Sequence, residues 1–114
     1  MKIVRNDPPR QFAVGLTKEV LISDCARIKL DDDEQVTFVN DSEGEYDVAR
    51  KSWGFYATPS INGRLLNFSF KVALVRNSLK KYYIMIVEDG KEHLFQDYLR
   101  KEKNEVIVWL SDFK

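Results

Sequence analysis

The stretch from Arg50 to Arg64, RKSWGFYATPSINGR, brings together residue types that can hold a ligand. Arg50 and Lys51 precede Trp53, Phe55 and Tyr56, and the Asn62-Gly63 dipeptide then delivers Asn62 and Arg64. Flat aromatic faces accept a sugar ring or a nucleobase, amide and guanidinium groups bond its edges, and cations meet a phosphate. Consecutive strand residues point to opposite faces, so Trp53 and Phe55 are expected inward and Tyr56 outward. The expected ligand site is Arg50, Tyr56, Asn62 and Arg64, and the expected ligand is a nucleotide-sugar or another phosphorylated molecule. The competing reading is structural, with Trp53 and Phe55 in the core and 58–63 a plain loop.

Other chemistry-bearing residues point to packing or solvation rather than to a reaction. His93 is the only histidine, which excludes two-histidine metal sites, and at the head of a predicted helix it reads as a surface residue. Cys25 is the only cysteine, so no intrachain disulfide forms, and small-hydrophobe packing is its expected role. Asp24 falls on an apolar parity, where a carboxylate needs an arginine partner or a bulge that turns it outward. Asp31-Asp32-Asp33-Glu34 lacks the ligand spacing of a calcium loop and reads as a solvated hairpin turn. No metal, cofactor or catalytic residue is assigned, and the balance leans away from an enzyme.

The stretch RKSWGFYATPSINGRL (Arg50 to Leu65), with the ending EVIVWL (Glu105 to Leu110), resembles a small uncharacterised bacterial family. Members of that family lie beside surface-polysaccharide or nucleotide-sugar genes. The resemblance implies a carbohydrate-related context and carries over no catalytic residue.

The elements around these residues follow from a period of two. Val20, Ile22, Ala26, Ile28 and Leu30 share one parity, against Glu19, Ser23, Arg27 and Lys29, which predicts a strand with one buried face. Leu66, Phe68, Phe70, Val72 and Leu74 predict a second strand on the same argument. Shorter strands are expected at 35–39, 45–49 (Tyr46 and Val48 inward), 81–87 and 105–110, with another at 11–14. Asn62-Gly63 reads as a tight turn, and Asp89-Gly90 closes the strand before it. Leu94, Phe95, Tyr98 and Leu99 recur at helical spacing, which predicts a helix over 92–101. The fold class is therefore mainly β: an antiparallel sandwich or barrel of six to eight strands with one short helix near the C-terminus. One domain over 1–114 is expected, with 1–10 an extended lead-in through Pro8-Pro9.

Composition narrows the partners. Eighteen bases balance eighteen acids, which counts against nucleic acid and against a polybasic membrane surface. No apolar run has the length of a signal peptide or a membrane span, so a cytoplasmic location is expected. Val106, Ile107, Val108 and Trp109 make the last strand apolar on both faces, as in a central strand or one covered by a partner, which predicts a homodimer through it. Three functions follow: a non-enzymatic binding or accessory module in cell-surface carbohydrate synthesis, a small metal-independent enzyme on a nucleotide-activated sugar, or an OB-like nucleic-acid binder.

Overall fold

Phe70–Arg76 is apolar on both parities, and in the computed structural model, which describes residues 1–113, it is the middle strand of a three-stranded sheet. The strands before it are β1 (Lys2–Val14), β2 (Val20–Lys29), β3 (Gln35–Val39), β4 (Glu45–Lys51) and β5 (Gly54–Ala57), and Phe70–Arg76 is β6. A single turn of helix, α1 (Arg64–Asn67), precedes β6. After it come β7 (Tyr82–Glu88), the helix α2 (Glu92–Glu102), β8 (Glu105–Trp109) and a 3-10 turn at Leu110–Asp112. Strands hold 51% of the residues and helix 16%, about half the usual globular helix share, so the chain is mainly β. The three antiparallel sheets run β1-β2, β3-β4-β5 and β7-β6-β8, and none closes on itself, which excludes the barrel.

The chain forms two compact units. One holds residues 1–36 and 48–56, the other residues 37–47 and 57 onward, so β3 and β4 contribute residues to both.

In the second unit β6 buries both of its faces. Phe70 and Val72 pack with Leu65 of α1, and Tyr46, Phe68, Ile86 and Leu110 close around them. Ala73 and Val75, on the opposite parity, pack with Leu99 of α2, joined by Met85, Phe95, Val106 and Trp109. The Phe95 and Trp109 rings meet edge to face at 5.8 Å between centroids. Both β7 and β8 lie antiparallel to β6, so they run parallel to each other, and α2 is the crossover that joins them. Helix α2 forms where predicted, with acidic Glu92 in its first turn and Arg100 and Lys101 in its last, but of its apolar stripe Leu99 is buried and Phe95 half-buried while Leu94 and Tyr98 are exposed. Lys103, at φ 56, ends it in a left-handed cap.

Several expectations are corrected here. The strand predicted from Leu66 begins only at Phe70. Ser60 accepts bonds from the Arg64 and Leu65 amides, starting a helical turn, and Ser69 at φ 64 then reverses the chain into β6. Asn62-Gly63 lies in a turn, as expected, with the Gly63 amide donating to the Ser60 carbonyl at 3.3 Å, and this turn leads into α1; a Cβ at Gly63 would collide with the Ser60 hydroxyl oxygen. In β4 the parity is opposite to that expected: Asp47 and Ala49 are buried, while Tyr46 and Val48 are half-buried. β8 is an edge strand bonded to β6 alone, which removes the central-strand alternative and leaves the other, a strand covered by a partner.

In the first unit, β1 and β2 form a long two-stranded ribbon, so the predicted lead-in pairs as strand from Lys2. Three extra β1 residues bulge between Arg5 and Arg10, which pair with Ala26 and Asp24. The expected buried face of β2 is largely uncovered within the chain: Val20, Ile22 and Ile28 are exposed and Ala26 is half-buried, and only Leu30, just past the strand, is buried. Asp24 is half-buried on this uncovered face and meets Arg10 across the strand pair at 3.2 Å. Cys25 is exposed, not the buried small hydrophobe expected; its Sγ lies 3.4 Å from the Ser23 carbonyl and the residue borders the β1 bulge at Asn6 and Pro9. No helix among the described residues is long and apolar enough to cross a membrane.

Candidate functional site: a cationic groove beside exposed aromatic rings

Alternation along the ribbon places Lys2, Val4, Arg27 and Lys29 on one face, with Lys2 directly opposite Lys29 and Val4 opposite Arg27. The β4–β5 connection brings Arg50, Lys51, Trp53 and Phe55 to the same open groove, of about 880 Å³. Five cations line it and no acid does. Arg50 is held from below: its guanidinium donates to the Leu30 carbonyl at 2.5 Å and lies 3.7 Å from Asp32. Lys51 is paired with Asp33, a hydrogen bond that holds its ammonium pKa above the ordinary lysine value, reinforced by the aspartate charge. Lys2, Arg27 and Lys29 have no ion-pair partner among the described residues. Like charges directly opposite each other destabilise a strand pair by a few tenths to about 1 kcal/mol, and an anion between Lys2 and Lys29 would offset that cost.

The aromatic residues are not arranged as expected. Trp53 is 69% exposed, Phe55 66% and Tyr56 46%, so none of the three rings is turned into a core. Gly54 explains this locally. At φ 147 it adopts a conformation that side chains rarely take, and the tight β4–β5 turn it permits carries both neighbouring rings into solvent. Trp53 and Tyr56 stack at 6.0 Å with their planes 26° apart, a flat apolar platform on the groove wall. The groove can therefore pair a negative charge with a ring.

No protein family, curated protein or solved structure matches this chain.

Of the four site residues read from sequence, Arg50 lines the groove and Tyr56 stacks on its Trp53. Asn62 and Arg64 belong to the second unit and line no groove found in the first. Asn62 is exposed, while Arg64 has a different partner: its Nη1 donates to Asp47 Oδ2 at 2.5 Å and its Nη2 to the Thr58 hydroxyl at 3.3 Å. Burial pushes the Asp47 carboxyl pKa up, but hydrogen bonding by Thr37 and Arg64, with the guanidinium charge, outweighs it and holds the group below the usual carboxylate value. Asp47 Oδ1 is buried, and no donor among the described residues meets hydrogen-bond geometry there; the Thr37 hydroxyl acts on the carboxylate without closing that gap.

Lys2, Arg27 and Lys29 are not among the residues that the sequence singles out. Arg27 and Lys29 carry a signal, since they share the polar parity of their strand, but polar parity alone reads as a solvated face. Only the β1–β2 register shows that Lys2 completes a cluster with them. His93 is exposed near the start of α2, as its position predicts. No group of three or more His, Cys, Asp or Glu residues is placed to hold a metal among the described residues.

Proposed function

We propose that this chain is a binding module for a phosphorylated ligand that carries a flat ring, the nucleoside diphosphate portion of a nucleotide-sugar. The observation that carries the reading is the Lys2–Lys29 pair, with Arg27 beside it and no ion-pair partner for any of the three among the described residues, in one groove with the exposed Trp53, on which Tyr56 stacks. The diphosphate would lie between the ribbon cations while the ring packs on Trp53, with Arg50 as a second, pre-oriented donor. The resemblance of the Arg50–Leu65 stretch to a family found beside nucleotide-sugar genes agrees with this ligand class. As a module of this kind the chain binds and presents its ligand, and it contributes no residue to turnover.

The test is a titration of the full chain with a uridine diphosphate hexose, uridine diphosphate and inorganic pyrophosphate, followed by amide and indole NMR shifts. Expected is a shared set of shifts at Lys2, Arg27, Lys29 and Trp53, with Lys29→Ala weakening binding tenfold or more. Absence of shifts at millimolar ligand overturns the reading. The competing ligand is a single-stranded nucleic acid, because cations beside stacked aromatic rings also make a platform for successive bases. An oligothymidylate that binds more tightly than the nucleotide, with affinity falling steeply as salt rises, would assign the groove to nucleic acid instead.

A further inference from the structure

The β1–β2 ribbon has two faces, and only one belongs to the groove. By register the other face carries five cross-strand pairs: Ile3–Ile28, Arg5–Ala26, Arg10–Asp24, Phe12–Ile22 and Val14–Val20. Seven of these ten side chains are apolar, and Ile3, Phe12, Val20, Ile22 and Ile28 are exposed. No other strand pairs with the ribbon among the described residues. A lone two-stranded ribbon is marginal in water, and a contiguous exposed apolar face of this kind marks a contact surface.

We propose that a second copy of this chain covers this face, ribbon on ribbon, about a two-fold axis running along the strands. A two-fold interface must be complementary to itself. With the axis in that direction each pair meets its own copy with the strands exchanged. Ile3 then faces the partner's Ile28, Phe12 faces the partner's Ile22, and Arg10 faces the partner's Asp24. The charge pattern selects this occupant. Arg10 and Asp24 are the one oppositely charged pair on the face, already 3.2 Å apart within the chain, and face-to-face packing converts them into a four-charge cluster of alternating sign. The Arg10 guanidinium also lies over the Phe12 ring at 5.3 Å, so the charged head itself rests on the apolar face, between Phe12 and Asp24.

From Val20 to Ile28 the face is about 27 Å long and about 10 Å wide, which is about 270 Å² on each copy and on the order of 500 Å² in the pair, below the standard size of a specific interface. The dimer is therefore a weak one that forms at high protein concentration. The other surface where a second copy was expected, the edge of β8, exposes Ile107 with its neighbours half-buried, so the larger uncovered apolar area is the ribbon's. The groove's cations, Lys2, Arg27 and Lys29, lie on the opposite ribbon face and Ile28 alone is common to both surfaces, so the dimer leaves both grooves open. Its ligand capacity is then two per dimer, whichever anion the groove takes.

The experiment is sedimentation equilibrium on the full chain up to several hundred micromolar, with Arg10→Asp and Asp24→Arg as variants. The wild type is expected to form a dimer, and each variant alone to be monomeric with an unchanged circular dichroism spectrum, because each fills the centre of the interface with like charges. Mixed in equal amounts, the two variants are expected to pair with each other. One then brings two carboxylates to the centre of the interface and the other brings two guanidinium groups, so every charge meets its opposite across the axis. Should either variant lose its fold, Ile3→Lys at the exposed end of the face replaces it: a folded monomer supports the interface and a dimer overturns it. A wild type that stays monomeric throughout, including one that instead adsorbs to lipid vesicles, overturns the proposal. So does a mixture that fails to pair.

Discussion

The carboxylate of Asp47 is 2% exposed and the guanidinium of Arg64, which bonds it at 2.5 Å, is 43% exposed. One partner of this ion pair is therefore inside the second unit and the other at its surface. The asymmetry matters because removing the outer partner strands a buried charge, whereas an exposed pair contributes little. By sequence alone Arg64 is a surface residue whose loss costs little stability. Its partner makes it structural.

Arg64→Ala is accordingly expected to destabilise the chain by about 1–3 kcal/mol, the cost of leaving a buried polar group without its donor. Urea denaturation measures this directly. A change below a few tenths of a kcal/mol would show that water replaces the guanidinium without penalty.

The same carboxylate sets a direction for pH. The folded-state pKa of Asp47 is depressed, so its contribution to stability is complete above the unfolded-state value of about 3.9 and is lost as pH falls through the lower, folded value. Melting temperature followed through the acid range should fall less steeply below about pH 4 for Asp47→Asn than for the wild type, because the variant has no proton to gain there. Parallel curves would assign the acid sensitivity to other carboxylates, of which Glu88 and Glu92 also have depressed values.

Phe70 tests the core of the second unit from two sides. Truncation to Ala removes a buried ring and should cost about 3–5 kcal/mol. Conversely, a Cβ added at Gly44 would lie 2.7 Å from the Phe70 ring, so Gly44→Ala should cost about 1–3 kcal/mol through overpacking. Gly44→Ala in a Phe70→Leu background should cost less than in the wild type, and a double-mutant cycle reads the difference.

The groove should respond in the opposite sense. Lys29→Gln relieves the like-charge pairing with Lys2 and is expected to raise stability by a few tenths of a kcal/mol while weakening anion binding. Trp53→Ala, at an exposed position, should leave stability within about 0.5 kcal/mol. A stability loss at Lys29 comparable to that at Arg64 would mean that the cations serve the fold and not a ligand.

The sequence by itself determined most of the segments that extend or coil, the helical turn at Arg64–Asn67 in place of a strand from Leu66 being the exception. The alternation around Val20–Lys29, the helical stripe of Leu94, Phe95, Tyr98 and Leu99, and the turn clusters between strands are local signals, and local geometry obeys them. It also showed that Arg50, Tyr56 and Trp53 gather cationic and aromatic character in one short stretch. What alternation cannot state is which of two faces is covered, since burial belongs to whatever packs on the strand. That is why the apolar parity of β2 stayed largely exposed, why β6 proved buried on both sides, and why Asp47 took the inward position in β4. Nor can local pattern give register. Lys2 and Lys29 are 27 positions apart in sequence, and only the antiparallel pairing of β1 with β2 sets their charges against each other. The tertiary structure alone gave Arg64 to Asp47, because a buried carboxylate needs a donor within reach.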